Sequence, residues 1–217
     1  QYRGKGDLQS INRVMGIGMY AAGAIGLVFA LIMGFFPHQF MSLFGDDPQV
    51  VATASQYARI VGWSYFFDSF VQVYNGVHRA MGDPKRGLYI LGVSMACNTF
   101  LNWVFIFGNL GAPRLEVEGA ALATLLARVL SCAIAVGWAA LDRNFKLDPA
   151  LLFRPDGEMV GRFVRFATPV MCNETFWGLG TSIFPTIMGH MEGSEEILAA
   201  YAIAGNITNL CTVGVFA

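Results

Sequence analysis

Charge is scarce in this sequence. Of 217 residues, 13% are Asp, Glu, Lys or Arg, about half of the roughly 25% usual in soluble domains. The formal net charge is −1, which leaves no clustered base for a nucleic-acid footprint. Cysteine is scarce too. Cys97, Cys132, Cys172 and Cys211 are widely spaced, and each lies in an apolar stretch. Without a CxxC pair they suggest neither a metal site nor a disulfide framework, and they read as buried free thiols. His38, His78 and His190 fall at the ends of apolar runs, which suits interfacial residues. No HExxH, GxSxG or P-loop motif is present, so the residues give no ground for an enzyme. What abounds is apolar: 55% of the chain is hydrophobic, with 18 Phe, and there are 25 Gly. A soluble fold of this length could not cover that much apolar surface, and a disordered chain would not carry it. The expected class is an all-α integral membrane protein, with the lipid bilayer as a partner and no nucleic acid.

A bilayer-crossing helix needs about 20 apolar residues. Six stretches qualify: Met15 to Phe36, Ala52 to Val77, Gly87 to Gly108, Val117 to Leu141, Phe163 to Gly189, and one that starts near Ile197. The loops orient them. Arg3, Lys5, Arg13, Arg79, Lys85, Arg86, Arg143, Lys146, Arg154, Arg162 and Arg165 fall on one side. The other side holds a single base, Arg114, with Asp46, Asp47, Glu116, Glu118, Glu192, Glu195 and Glu196. Cytoplasmic loops are enriched in Lys and Arg, so the amino end is expected inside the cell. The longest connection, 142–162, mixes bases, acids and prolines, and could lie at the interface as a short amphipathic helix. The expected organisation is four spans in 1–141, this loop, and two spans in 163–217. The chain opens on a polar stretch, QYRGKGDLQSINR, and ends within an apolar one, VGVFA, as expected of a piece of a longer protein.

Polar residues inside such spans are candidates for function. A charge at mid-bilayer costs on the order of 3 kcal/mol, so it faces protein or water. Ser64, Asp68, Gln72 and Asn75 fall within about 80° of one face of the second span at 100° per residue. That stripe is expected to line a cavity or a helix interface. Asp68 reads as a proton or cation site, or else as the partner of a base such as Arg128. Ser94, Asn98 and Asn102 share a face of the third span, where amides commonly join helices. Thr124, Arg128 and Ser131 share a face of the fourth, beside small residues that allow close packing. Arg128 keeps its proton, and reads as a counter-ion before a substrate contact. In the fifth span Pro169 frees the carbonyl of Arg165, so the helix can bend ahead of Glu174. Glu174, with Asn173 beside it, is expected near mid-depth. There it would bind and release a proton, or a metal cation such as Na+, as access alternates. A structural ion pair is the rival reading.

Several stretches are similar to the MATE (multidrug and toxic compound extrusion) transporters. NGVHRAMGDPKRGLYI resembles the loop after that family's fourth helix. NTFLNWVFIFGNLGAPRLEVEGAALATLLAR resembles its fifth and sixth helices, with the pattern LNxxxIFGxxGxPxLxVxGAAxAT. QYRGKGDLQSINR, RFATPVMCNETFW and EEILAAYAIAGNITNL resemble the lead into helix three, the start of helix seven and the lead into helix eight. The resemblance implies six of twelve helices in a two-lobe transporter, joined by the 142–162 loop. It implies export of organic, mostly cationic compounds, driven by inward proton or sodium movement and with no other cofactor. It also implies a multi-pass protein of the inner or plasma membrane that works as a monomer when whole. Glu174 falls where many members carry an acid. Asn98 and Asn102 fall where some branches have an Asn and an Asp, and an amide at Asn102 cannot titrate. The alternatives are a lipid-linked saccharide flippase of the same superfamily and a non-transporting membrane scaffold. A flippase would be expected to show more cavity bases, and a scaffold has no need of inward polar stripes.

Overall fold

Helix starts and stops are written locally. Asp7 caps the first helix, its carboxylate accepting from the Ser10 amide at 3.0 Å and the Ser10 hydroxyl at 2.6 Å. Asp47 caps another from the Gln49 amide at 2.8 Å, and Pro48 supplies a first-turn residue that needs no donor. Gly108 ends a third in the left-handed region at φ 73°, which glycine adopts without strain. The computed structural model describes residues 7–141, 157–191 and 193–216, with side chains as far as residue 208.

Its helices are α1 (Leu8–Phe35), α2 (Pro37–Met41), α3 (Pro48–Ala80), α4 (Lys85–Phe107), α5 (Glu116–Leu141), α6 (Gly157–Gly189) and α7 (Ser194–Phe216), with a 3-10 turn over Asn109–Gly111 between α4 and α5. The protein is all-α, without strands among the described residues. Three helices, α1, α4 and α5, are long and apolar enough to cross a membrane by length and composition. α3 and α6 are longer still, at 33 residues each, but carry more polar side chains. The amphipathic helix considered for the long connection lies outside the described residues. The last turns of that segment, from Gly157, already belong to α6.

The first five helices form a row in which α1 packs on α3, α3 on α5, and α5 on α4. Lipid tails are as apolar as leucine, so helices join in a bilayer by close fit and polar bonds rather than by hydrophobic burial. The fit is tight where glycine faces a neighbour. A Cβ on Gly62 would lie 2.6 Å from the Met33 Cβ, and one on Gly119 would lie 2.7 Å from the Phe105 carbonyl oxygen. Ile11, Met15, Val71, Tyr74, Ile90 and Ala135 make the apolar core of the row. Leu27, Phe29, Phe100 and Trp103 stay exposed on its outside, as lipid-facing side chains should.

α6 packs on α7 and meets the row along α1. It also touches the turn after α2, where Gly189 lies against the Phe44 carbonyl oxygen. The helix passes through Pro169 and Pro185 without a break in its assignment. Few side chains of α6 are covered, so Glu174, Asn173 and Cys172 are exposed. The expectation of buried thiols is therefore corrected at Cys172, while Cys97 and Cys132 are half-buried. The side chain of Cys211 lies outside the described residues.

The Ser10 hydroxyl and amide hold the Asp7 carboxyl below the usual aspartate range. A lowered pKa adds stability above the unfolded value and loses it as pH falls through the folded value. The Asp7 carboxyl should titrate below about 3.9 in a carbon-detected NMR experiment. It should move upward in Ser10→Ala. An unmoved midpoint would show that the cap does not hold the charge.

Candidate functional site

The stripe on α3 faces α4 and α5. Asp68, Gln72 and Asn75 line a cavity of about 370 Å³ together with Arg79, Arg128 and apolar side chains such as Leu88 and Leu91. α3 and α4 barely touch, and α5 bridges them from behind, so the cavity is the gap between two helices that share a third.

Arg128 Nη1 stands 2.9 Å from Asp68 Oδ1. The two form an ion pair, and Oδ1 has no other partner among the described residues. The other oxygen, Oδ2, accepts from Gln72 Nε2 at 3.3 Å. Asp68 is the more covered of the two, 22% exposed against 39% for Arg128.

One turn deeper, a chain of polar bonds joins α4 to α5. Asn102 Nδ2 donates to Asn98 Oδ1 at 3.0 Å. Asn98 Nδ2 donates to Thr124 Oγ1 at 3.3 Å, and Thr124 donates to the Ala120 carbonyl at 3.0 Å. Every link donates in the same direction, so the chain leaves the buried Asn102 Oδ1 as an open acceptor. Asn75 Oδ1 is a second open acceptor at the cavity wall. Ser131 closes the α5 side by donating to the Ala127 carbonyl at 2.9 Å. An open carbonyl oxygen at this depth can accept from a protonated group or face a cation.

Asp68, Gln72, Asn75 and Arg128 are thus brought together at one cavity, while Asn98 and Asn102 join α4 to α5 through Thr124. Glu174 and Asn173 belong to neither group. They stand on exposed turns of α6, and no described side chain pairs with Glu174. α6 rests on α7 and α1 through other faces. No three His, Cys, Asp or Glu side chains among the described residues converge as metal ligands.

The sequence reading missed two residues. Arg79, counted only as a loop base, lines the cavity. His78, expected at an interface, is 2% exposed. Its ring stacks on Tyr74 at 4.1 Å, its Nδ1 lies 3.0 Å from the Tyr74 carbonyl, and its Nε2 lies 3.4 Å from Arg86 Nη1. The i, i+4 spacing of Tyr74 and His78 was the available signal.

Comparison with known proteins follows the same outline. The family model described as MatE matches residues 1–104. A probable multidrug resistance protein NorM of Rhizobium meliloti (strain 1021) is 29% identical over 174 residues, covering 78% of this chain and 37% of the relative. A probable multidrug resistance protein YoeA of Bacillus subtilis (strain 168) is 23% identical over 212 residues, covering 96% of this chain and 45% of the relative. A solved outward-facing conformation of a multidrug resistance MATE family transporter of the MOP superfamily is 25% identical, with a TM-score of 0.62 over 94% of this chain and 49% of that one. The chain spans about a third to a half of the length of these proteins.

Proposed function

We propose that the chain, which is similar to the MatE family over residues 1–104 and to multidrug resistance transporters over most of its length, forms part of a secondary active efflux antiporter. It would export small organic compounds, mostly cationic, in exchange for protons or sodium ions. The carrying observation is the polar seam of α3, α4 and α5, in which Asp68 and Arg128 meet at 2.9 Å within apolar helices. Two charges at that depth cost several kcal/mol even when paired, and a scaffold gains nothing from them.

Roles follow from position. Glu174 carries the coupling charge, because it is a carboxylate midway along α6 with no described partner to neutralise it. Na+ is the metal alternative to a proton there. Asp68 is a second coupling group, available only when Arg128 releases it. Gln72, Asn75, Asn98, Asn102 and Asn173 supply neutral polar contacts along the path. The protein is a multi-pass membrane protein, placed by this reading in the inner or plasma membrane and acting as a monomer. A lipid-linked saccharide flippase is the second reading, favoured by the two guanidinium groups of Arg79 and Arg128 at one cavity.

Cells making the complete transporter of which this chain forms part should clear a cationic dye faster than controls, and a protonophore or sodium removal should abolish the difference. Dye retention equal to controls, with flipping of a labelled lipid-linked sugar, would select the second reading. Reporter fusions should place the amino end and the 142–162 loop in the cytoplasm, as the basic residues require. Activity of a periplasmic reporter fused in that loop would overturn the topology.

A further inference from the structure

The cavity between α3 and α4 carries two guanidinium groups, Arg79 and Arg128, and one carboxylate, Asp68. The imbalance in bonding is greater than the imbalance in charge. Asp68 is covered on both oxygens, by the Arg128 charge at Oδ1 and by Gln72 Nε2 at Oδ2. A cationic visitor would find the acid occupied and two like charges beside it. Arg128 is in the opposite condition. Its guanidinium has five N–H donors. Nη1 faces Asp68 at 2.9 Å, the remaining donors meet no acceptor among the described residues, and the side chain is 39% exposed. Arg128 lies midway along α5, where unspent donors are costly. Its planar fork matches the two oxygens of a carboxylate or phosphate. Leu88, Leu91 and Val71 give the cavity an apolar wall, and about 370 Å³ is within the range of small-molecule sites.

We propose that this cavity is a subsite for the oxyanion group of an amphiphilic organic molecule, with Arg128 as the fork that receives it. The inference rests on the export reading and adds to it. The transported class then includes organic anions and zwitterions, which the coupling acid on α6 alone would not select. The oxyanion can be carried by a free amphiphile or by a lipid headgroup, since both present the same two oxygens.

The test is equilibrium binding to the purified protein in lipid nanodiscs, followed by tryptophan fluorescence. The probes are 2-naphthoate, 2-naphthamide and 2-naphthylmethylamine, which share a ring and differ in charge. Naphthoate should bind at least about tenfold more tightly than the other two, as hydrogen bonds to a charged group allow. Arg128→Gln should remove that preference. Arg128→Lys should keep part of it, because the charge stays and the fork is lost. Asp68→Asn should preserve or strengthen it. Should Arg128→Gln fail to fold, the neutral double variant Asp68→Asn/Arg128→Gln supplies the same comparison. A fall in naphthoate affinity from phosphatidylcholine to phosphatidylglycerol nanodiscs that is larger in the wild type than in Arg128→Gln, which meets the same surface charge, would identify the headgroup as an occupant, and equal falls would identify the free amphiphile. Equal affinities for the three probes, a preference for the amine, or a folded Arg128→Gln with unchanged naphthoate binding would overturn the subsite. Dye efflux separates the two readings. Naphthoate binding through Arg128 without efflux removes the transport reading alone, and efflux without that binding removes the subsite alone.

Discussion

Glu174→Gln is expected to reduce efflux of a cationic dye by roughly tenfold or more, while the protein reaches the membrane in normal amount. Coupled binding between two ligands is typically worth about 5- to 150-fold, and the substitution removes the charge for which proton and substrate compete. Folding should survive because Glu174 is exposed on α6, pairs with no described side chain, and Gln keeps its size. The structural alternative predicts the reverse. If Glu174 held a base in the assembled transporter, Gln would lower the yield of inserted protein and leave the activity per molecule near normal. Efflux normalised to inserted protein decides between them. Near wild-type specific activity would remove Glu174 from the mechanism.

Gly62→Ala is expected to destabilise the row of helices far more than its size suggests. The added Cβ would sit 2.6 Å from the Met33 Cβ on α1, well inside van der Waals contact, so α1 and α3 must separate. Overpacking of this kind costs about 1–3 kcal/mol. For a chain of this size each kcal/mol lowers the unfolding midpoint by about 2–4 °C. Gly76→Ala is the control on the same helix. Nothing lies within 4 Å of the place its added methyl would take, and losing a helical glycine gains roughly 0.5–1 kcal/mol. Unfolding scans in detergent at one heating rate should therefore move in opposite directions. Equal shifts for the two variants would show that the α1–α3 contact is not close.

Each expected span falls on a helix, with ends shifted by a few residues: Met15 to Phe36 against Leu8–Phe35, and Gly87 to Gly108 against Lys85–Phe107. Spans were legible because hydropathy and capping act within one stretch of chain. Asp47, Pro48 and Gly108 mark their boundaries by their own backbone preferences. The α3 stripe was legible for the same reason, since helical spacing puts Asp68, Gln72 and Asn75 on one face whatever lies opposite. Gly119 was visible within a motif, but its cause is the Phe105 carbonyl across the turn.

The sequence by itself determined the class, the helices and the faces that carry polar groups, because each depends on residues a few positions apart. Only the tertiary structure decided which faces meet. It set Arg128 of α5 against Asp68 of α3, left a cavity where α3 and α4 part, and drew Arg79 into its lining. It also buried His78 beneath Arg86 and left Glu174 on an uncovered side of α6. Those outcomes depend on how helices far apart in the chain pack side by side, which local periodicity does not encode. The same residue pattern reads alike whether its neighbour is an arginine, a lipid or water.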